Sequence, residues 1–235
     1  MNQLGNIMAK RQIQEPKVKQ VNVAERAVRI VLNEEQKNIL RESYKDAISI
    51  FIGKAGSGKT LLGTYIAITQ KIDKEIGKIV ITRPTVSDEQ LGFLPGDVKD
   101  KLDPWMQPIY HNMYSCIEKQ KVLKMIEDGD IEISPIAYMR GRTINHAIVV
   151  ADEIQNLTKK QMEMLVSRLG KNSRMILCGD ISQVDLKNKN DSGLQHLINM
   201  AVGIEGINVY EFKTNHRHPI VDKLLEQFNL NNNNK

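Results

Sequence analysis

The residues with the clearest chemistry are Gly53-Lys54-Ala55-Gly56-Ser57-Gly58-Lys59-Thr60. Their spacing, G-x-x-x-x-G-K-[ST], is that of a phosphate-binding loop. Glycines let the backbone curl so that several N–H groups face one concavity. A helix starting near Gly58 adds its unpaired N-terminal N–H groups and the positive end of its dipole. Lys59 supplies a mobile cation for the β- and γ-phosphates, and the Thr60 hydroxyl is a ligand for Mg²⁺. Gly53, Lys54, Ala55, Gly56, Ser57, Gly58, Lys59, Thr60 and Leu61 are therefore the expected contacts for a nucleoside triphosphate.

A second centre follows the apolar run Ala147-Ile148-Val149-Val150-Ala151, which ends in Asp152-Glu153. An Asp at the mouth of a buried strand can hold the Mg²⁺ shell together with Thr60. A Glu beside it can orient and deprotonate the attacking water. A kinase passing phosphate to another molecule has no need of that glutamate, so the pair favours hydrolysis. The plainer alternative is two surface carboxylates at a strand end. A third group, Cys178-Gly179-Asp180-Ile181-Ser182-Gln183, also leaves an apolar strand, where ligands collect in open α/β sheets. Gln183 could bond the γ-phosphate or its water. It could equally be the solvent-facing residue of a Gly-Asp turn.

These groups need strands and helices to bring them together. Ile48–Ile52 reads as the strand entering the loop, and Leu61, Leu62, Tyr65, Ile66 and Thr69 as one face of the helix leaving it. Asn33-Glu34-Glu35-Gln36 has the form of a helix N-cap with Gln at N3. Lys78–Thr82, Ile131–Ile133, Ala147–Ala151, Met175–Cys178 and Ile207–Phe212 read as further strands. Thr158-Lys159-Lys160-Gln161 is a second capping box, for a helix bearing Met162, Leu165, Val166 and Leu169 and ending at Gly170. Pro95, Pro104 and Pro108 break the pattern between Val86 and Asp130, which predicts a loop-rich insertion with short helices. A short helix is expected after Pro219. Apolar strands alternating with helices predict one α/β domain with a mostly parallel sheet covered on both faces. At least one strand is expected between the loop strand and the Asp-Glu strand.

The 235 residues carry a net charge of +5, which is compatible with a nucleic-acid partner without requiring one. Two cysteines, Cys116 and Cys178, lack metal-ligand spacing, and Cys178 reads as a small core residue. No leader pattern or membrane-length apolar run is visible, so the expected setting is cytoplasmic and reducing, away from a membrane. A flexible basic arm is expected over residues 1–22, the domain over 23–228 and a disordered Asn-rich tail over 229–235.

The loop, Asp152-Glu153-Ile154-Gln155-Asn156 and Gly179-Asp180-x-x-Gln183 together resemble the first motor domain of superfamily-one helicases. Thr82-Arg83-Pro84, Leu91-Gly92-Phe93-Leu94-Pro95-Gly96-Asp97, Ala137-Tyr138-Met139-Arg140-Gly141-Arg142-Thr143 and Arg217-His218-Pro219 closely resemble the PhoH family, over roughly residues 33 to 225. Ile154 stands where that family commonly has alanine. The resemblance implies a single RecA-like P-loop NTPase domain, often described as a predicted RNA helicase. Within it Lys59, Glu153, Gln183 and Arg217 are the implied catalytic residues, and Thr60 and Asp152 the Mg²⁺ ligands. Arg217 matches the arginine that neutralises transition-state charge. Gln36 resembles the glutamine that reads adenine, and its capping role stands equally open.

One motor domain leaves the nucleotide half exposed. Copies of the chain are accordingly expected to associate, as a ring that could be hexameric, with ATP at the interfaces and an arginine donated in trans by Arg217, Arg140 or Arg142. RNA or single-stranded DNA is the expected polymer. Arg83, Arg140 and Arg142 would meet its phosphates and Tyr138 would stack on a base. Tyr138 as a core residue and the arginines as structural ion pairs is the competing reading. Two other functions stay open: a nucleotide-controlled assembly module without unwinding, and a P-loop phosphotransferase.

Overall fold

The computed structural model describes residues 30–84 and 98–221, together with 223, 224 and 227. The expected arm, the Asn-rich tail and the Leu91–Asp97 stretch lie outside the described residues. The elements run α1 (Glu34–Ser43), β1 (Ile48–Gly53), α2 (Lys59–Ile72), β2 (Lys78–Thr82), α3 (Val98–Cys116), α4 (Lys119–Glu127), β3 (Ile131–Ile133), β4 (Ala147–Ala151), α5 (Lys159–Val166), β5 (Arg174–Gly179), α6 (Gly193–Ala201) and β6 (Ile207–Phe212). A further helix begins at Pro219.

The six described strands form one sheet in the order β3-β2-β4-β5-β1-β6, and every described pairing is parallel. Their carboxyl ends therefore share one edge. Strand β5 lies between β1 and β4, so the phosphate loop and Asp152-Glu153 are one strand apart.

Alternation along the strands builds two cores. Phe51, Ile79, Ile81, Ile148, Val150, Ile176 and Cys178 face α2 and α3. Ile50, Val80, Val149, Ala151 and Leu177 face α5 and α6. All five residues of β4 are buried, as a central strand covered on both sides requires. Cys178 is fully buried, in agreement with its reading as a core residue, and burial pushes its thiol well up. No helix among the described residues is long and apolar enough to cross a membrane.

Two local expectations are corrected, and one helix had no expectation at all. Pro104 and Pro108 do not split their region into short helices, because α3 runs unbroken for 19 residues. Met106, Ile109, Met113 and Cys116 recur at helical spacing and are buried, which holds the helix together. Pro108 is exposed, on the side where water can serve the carbonyl that its ring leaves unbonded. Helix α5 ends at Val166, before Gly170. Gly170 instead makes room for a neighbouring segment. A Cβ there would meet the Ile144 carbonyl oxygen at 2.5 Å and Asn145 Oδ1 at 2.2 Å. Helix α6 was not expected, although Leu194, Leu197, Ile198 and Ala201 pack into the second core at helical spacing.

Candidate nucleotide site

A cleft of about 500 Å³ opens at the carboxyl edge of the sheet. Gln36, Ala55, Gly56, Gly58, Lys59, Thr60, Leu61, Asp152, Glu153, Gln183 and Arg217 all line it. The residues singled out around the phosphate loop, the Asp-Glu pair and the third strand end thus meet in one place, as the parallel sheet demands.

The loop is held from inside and outside. Lys59 Nζ donates to the carbonyls of Gly53 at 2.7 Å and Lys54 at 2.9 Å, and to Ser57 Oγ at 3.3 Å. From the neighbouring strand end, Asp180 Oδ2 accepts from the Ala55 N–H at 2.9 Å. Gly56 and Gly58 have φ of 87° and 86°, where an L side chain is strained. Both are also crowded: a Cβ on Gly56 would meet Arg217 Cγ at 2.6 Å, and one on Gly58 would meet Gln36 Nε2 at 2.8 Å. The second glycine is the N-cap of α2. No side chain among the described residues caps that end, so the first N–H groups of the helix face the cleft.

Thr60 Oγ1 donates to Asp152 Oδ1 at 2.6 Å. Burial pushes the Asp152 carboxyl above its usual range, against the Thr60 hydrogen bond. A hydroxyl and a buried carboxylate side by side are a hard oxygen pair of the kind Mg²⁺ takes, and a cation there would offset the burial. Glu153 sits at φ 55° and ψ 34°, a left-handed conformation that strains a non-glycine residue. Its Oε2 accepts from Gln155 Nε2 at 2.6 Å, and its Oε1 lies 3.5 Å from Arg83 Nη2. Gln155 is buried and its Oε1 accepts from the Asp180 N–H at 3.1 Å. A continuous chain of contacts thus links Glu153, Gln155, Asp180 and Ala55.

Gln36 serves two purposes. Its N–H donates to Asn33 Oδ1 and its Oε1 accepts from the Asn33 N–H, which completes the capping box of α1. Its Nε2 faces the loop at Gly58. Glu35, one residue earlier, accepts from the backbone N–H groups of Lys213 and Thr214. That fixes the segment after β6, and the His216 N–H donates to the Gly56 carbonyl at 3.1 Å. Arg217 is thereby brought onto the loop of its own chain.

The residues singled out for nucleic acid are placed differently from one another. Arg83 pairs with Glu153. Arg142 makes a two-pronged contact with Glu132, at 2.6 and 3.1 Å. Tyr138 is exposed, and Arg140 lines a second cleft with Pro84, Ile136, Asn156, Leu157, Gln161 and Met164. Gln155, Asp180, His216 and Asn112 also hold or line the site, with no role expected for them from the motifs. Gln155 and Asp180 were inside recognised stretches. Asn112 had no signal, since only the packing of α3 brings it to the cleft.

Residues 30–229 match the model of the family described as PhoH-like protein. A PhoH-like protein of Bacillus subtilis is 44% identical over 184 residues, which are 77% of this chain and 58% of that protein. One from Synechocystis is 39% identical over 201 residues, covering 84% of this chain and 61% of the relative. Protein PhoH of Escherichia coli is 37% identical over 183 residues, 77% of this chain and 52% of the other. The chain thus spans between about half and three fifths of the curated relatives it matches. Solved structures are more distant. The UvsW helicase of bacteriophage T4 has a TM-score of 0.47 at 15% identity, covering 78% of this chain and 61% of that one. The Pif1 helicase of Candida albicans has a TM-score of 0.44 at 16% identity, covering 86% and 44%. On the extent of the family match and the identity to its members, the chain belongs to the PhoH-like protein family.

Proposed function

We propose that this protein is a Mg²⁺-dependent ATPase that couples hydrolysis to the binding or remodelling of single-stranded nucleic acid, RNA foremost. The observation that carries the reading is the meeting of Lys59, the Thr60–Asp152 pair, Glu153, Gln183 and Arg217 at one cleft. Thr60 and Asp152 would hold Mg²⁺, which would supply charge neutralisation at the phosphates. Glu153 takes a proton from the attacking water, whose oxygen bonds to the γ-phosphorus. The bond to the β–γ bridging oxygen breaks and ADP leaves with that electron pair. Lys59 and Arg217 neutralise charge on the transferred group, and Gln183 orients the water or the γ-phosphate. The loop N–H groups bind the phosphates and Gln36 Nε2 bonds the base, a reading supported by its approach to Gly58.

Nucleic-acid binding is supported by the exposed Tyr138 and by Arg140 in the second cleft. Arg140 is the stronger phosphate candidate, because Arg142 is engaged by Glu132. Association of copies remains part of the proposal, but Arg217 already reaches the loop in cis, so a partner is not needed to bring it there. A shared site would draw instead on Arg140. Phosphate release is to be measured with and without single-stranded RNA and DNA across a salt series. Stimulation by RNA, with an affinity that falls steeply as salt rises, is expected. Turnover with no binding of either polymer at low salt would leave nucleotide-controlled assembly as the better reading.

A further inference from the structure

Glu153 is held from two sides by groups that the chemistry of hydrolysis does not require. One carboxylate oxygen takes the Gln155 amide and the other faces the Arg83 guanidinium. A general base must turn a lone pair to the water it activates. Here the available oxygen is the one facing Arg83, at 3.5 Å, a loose contact that is easily exchanged.

The sheet fixes where Arg83 stands. It follows Thr82, the last residue of β2, and the Thr82 carbonyl accepts from the Asp152 N–H at 3.0 Å. Arg83 and Glu153 therefore leave neighbouring strands side by side. Pro84, the next residue, lines the second cleft together with Arg140. Arg83 thus lies between Glu153, its partner in the first cleft, and Pro84, its chain neighbour in the second. A guanidinium offers five N–H donors in a planar fork, and a phosphate can take two of them in parallel. Such a contact is stronger than the long one made to Glu153.

Resting on the proposed ATPase reading, we infer that Arg83 is a positioning residue that restrains Glu153, and that a phosphate of a single strand in the second cleft draws the guanidinium away and frees the glutamate. Gln155 keeps its hold on the other oxygen, so the released carboxylate stays tethered to Asp180 and, through it, to the phosphate loop. Arg83 in this way joins occupancy of one cleft to water activation in the other.

The test measures kcat and KM for ATP in wild type, Arg83→Ala and Arg83→Lys, with and without single-stranded oligouridylate. Oligouridylate binding is followed in parallel by anisotropy, and binding of a fluorescent ADP analogue verifies that each variant is folded. Arg83→Ala is expected to raise RNA-free kcat several-fold with KM unchanged, and to bring the ratio of stimulated to basal turnover towards one. Arg83→Lys, which keeps the charge, is expected to restore part of the restraint. An RNA-free kcat in folded Arg83→Ala at or below that of wild type, with stimulation intact, overturns the inference. A wild type that hydrolyses ATP but neither binds nor answers to oligouridylate refutes the nucleic-acid reading alone, and a raised kcat in Arg83→Ala then still supports the restraint. No phosphate release from wild type or either folded variant refutes both.

Discussion

Asp180 illustrates how far the shape of the phosphate loop is set from outside it. Its Oδ2 takes the Ala55 N–H while its Oδ1 takes the N–H and hydroxyl of Ser182, so one carboxylate ties the shoulder of the loop to the turn that carries Gln183. A hydrogen bond to a charged group is worth about 1.5–3 kcal/mol. Asp180→Ala should therefore weaken ATP binding by roughly tenfold or more, measurable as a raised Kd for a fluorescent nucleotide. Gln36 shows where spacing alone stops. Capping and base recognition both stayed open for it, because a primary amide has two ends. The structure commits the oxygen to Asn33 and leaves the nitrogen at the cleft.

Among the elements, the strands were legible because each is a short apolar run with a defined stop. The capping boxes at Asn33 and Thr158 were legible because both halves lie within four residues. What a local pattern could not settle was which force prevails. Prolines argue against a helix, yet the buried stripe Met106–Ile109–Met113–Cys116 keeps α3 continuous. Gly170 looks like a helix stop, but it is small because the Ile144 carbonyl passes it at close range. Two substitutions separate these roles. Thr158→Ala removes the cap of α5 and should cost about 1 kcal/mol. Gly170→Ala forces a Cβ against backbone and should cost about 1–3 kcal/mol. Urea unfolding of each variant checks both values.

Across the fold, a site whose parts span Gln36 to Arg217 closes because a parallel sheet delivers its strand ends to one edge. The cleft-lining residues of the phosphate loop and the Asp152-Glu153 pair were readable because their motifs are contiguous. The partners in the ion pairs were not: Arg83 with Glu153 and Arg142 with Glu132 depend on which strands lie side by side. The second pair bears on stability. Arg142, with Lys78 helping, holds the Glu132 carboxyl down at about 2, against an ordinary value of 4.5. Because the folded value is the lower one, the stabilisation is complete above about pH 4.5 and disappears as pH falls towards about 2. Solvent screening limits it to about 1 kcal/mol. Glu132→Gln should lose that stability at neutral pH and show a flatter acid limb in chemical denaturation.

Everything proposed for the cleft depends on Glu153 activating water there. Phosphate release by wild type and Glu153→Gln, with ATP binding measured on both, decides the matter. Glu153→Gln is expected to bind ATP as wild type does and to release phosphate about 10²-fold or more slowly. Release at the wild-type rate by Glu153→Gln would remove the glutamate from the chemistry.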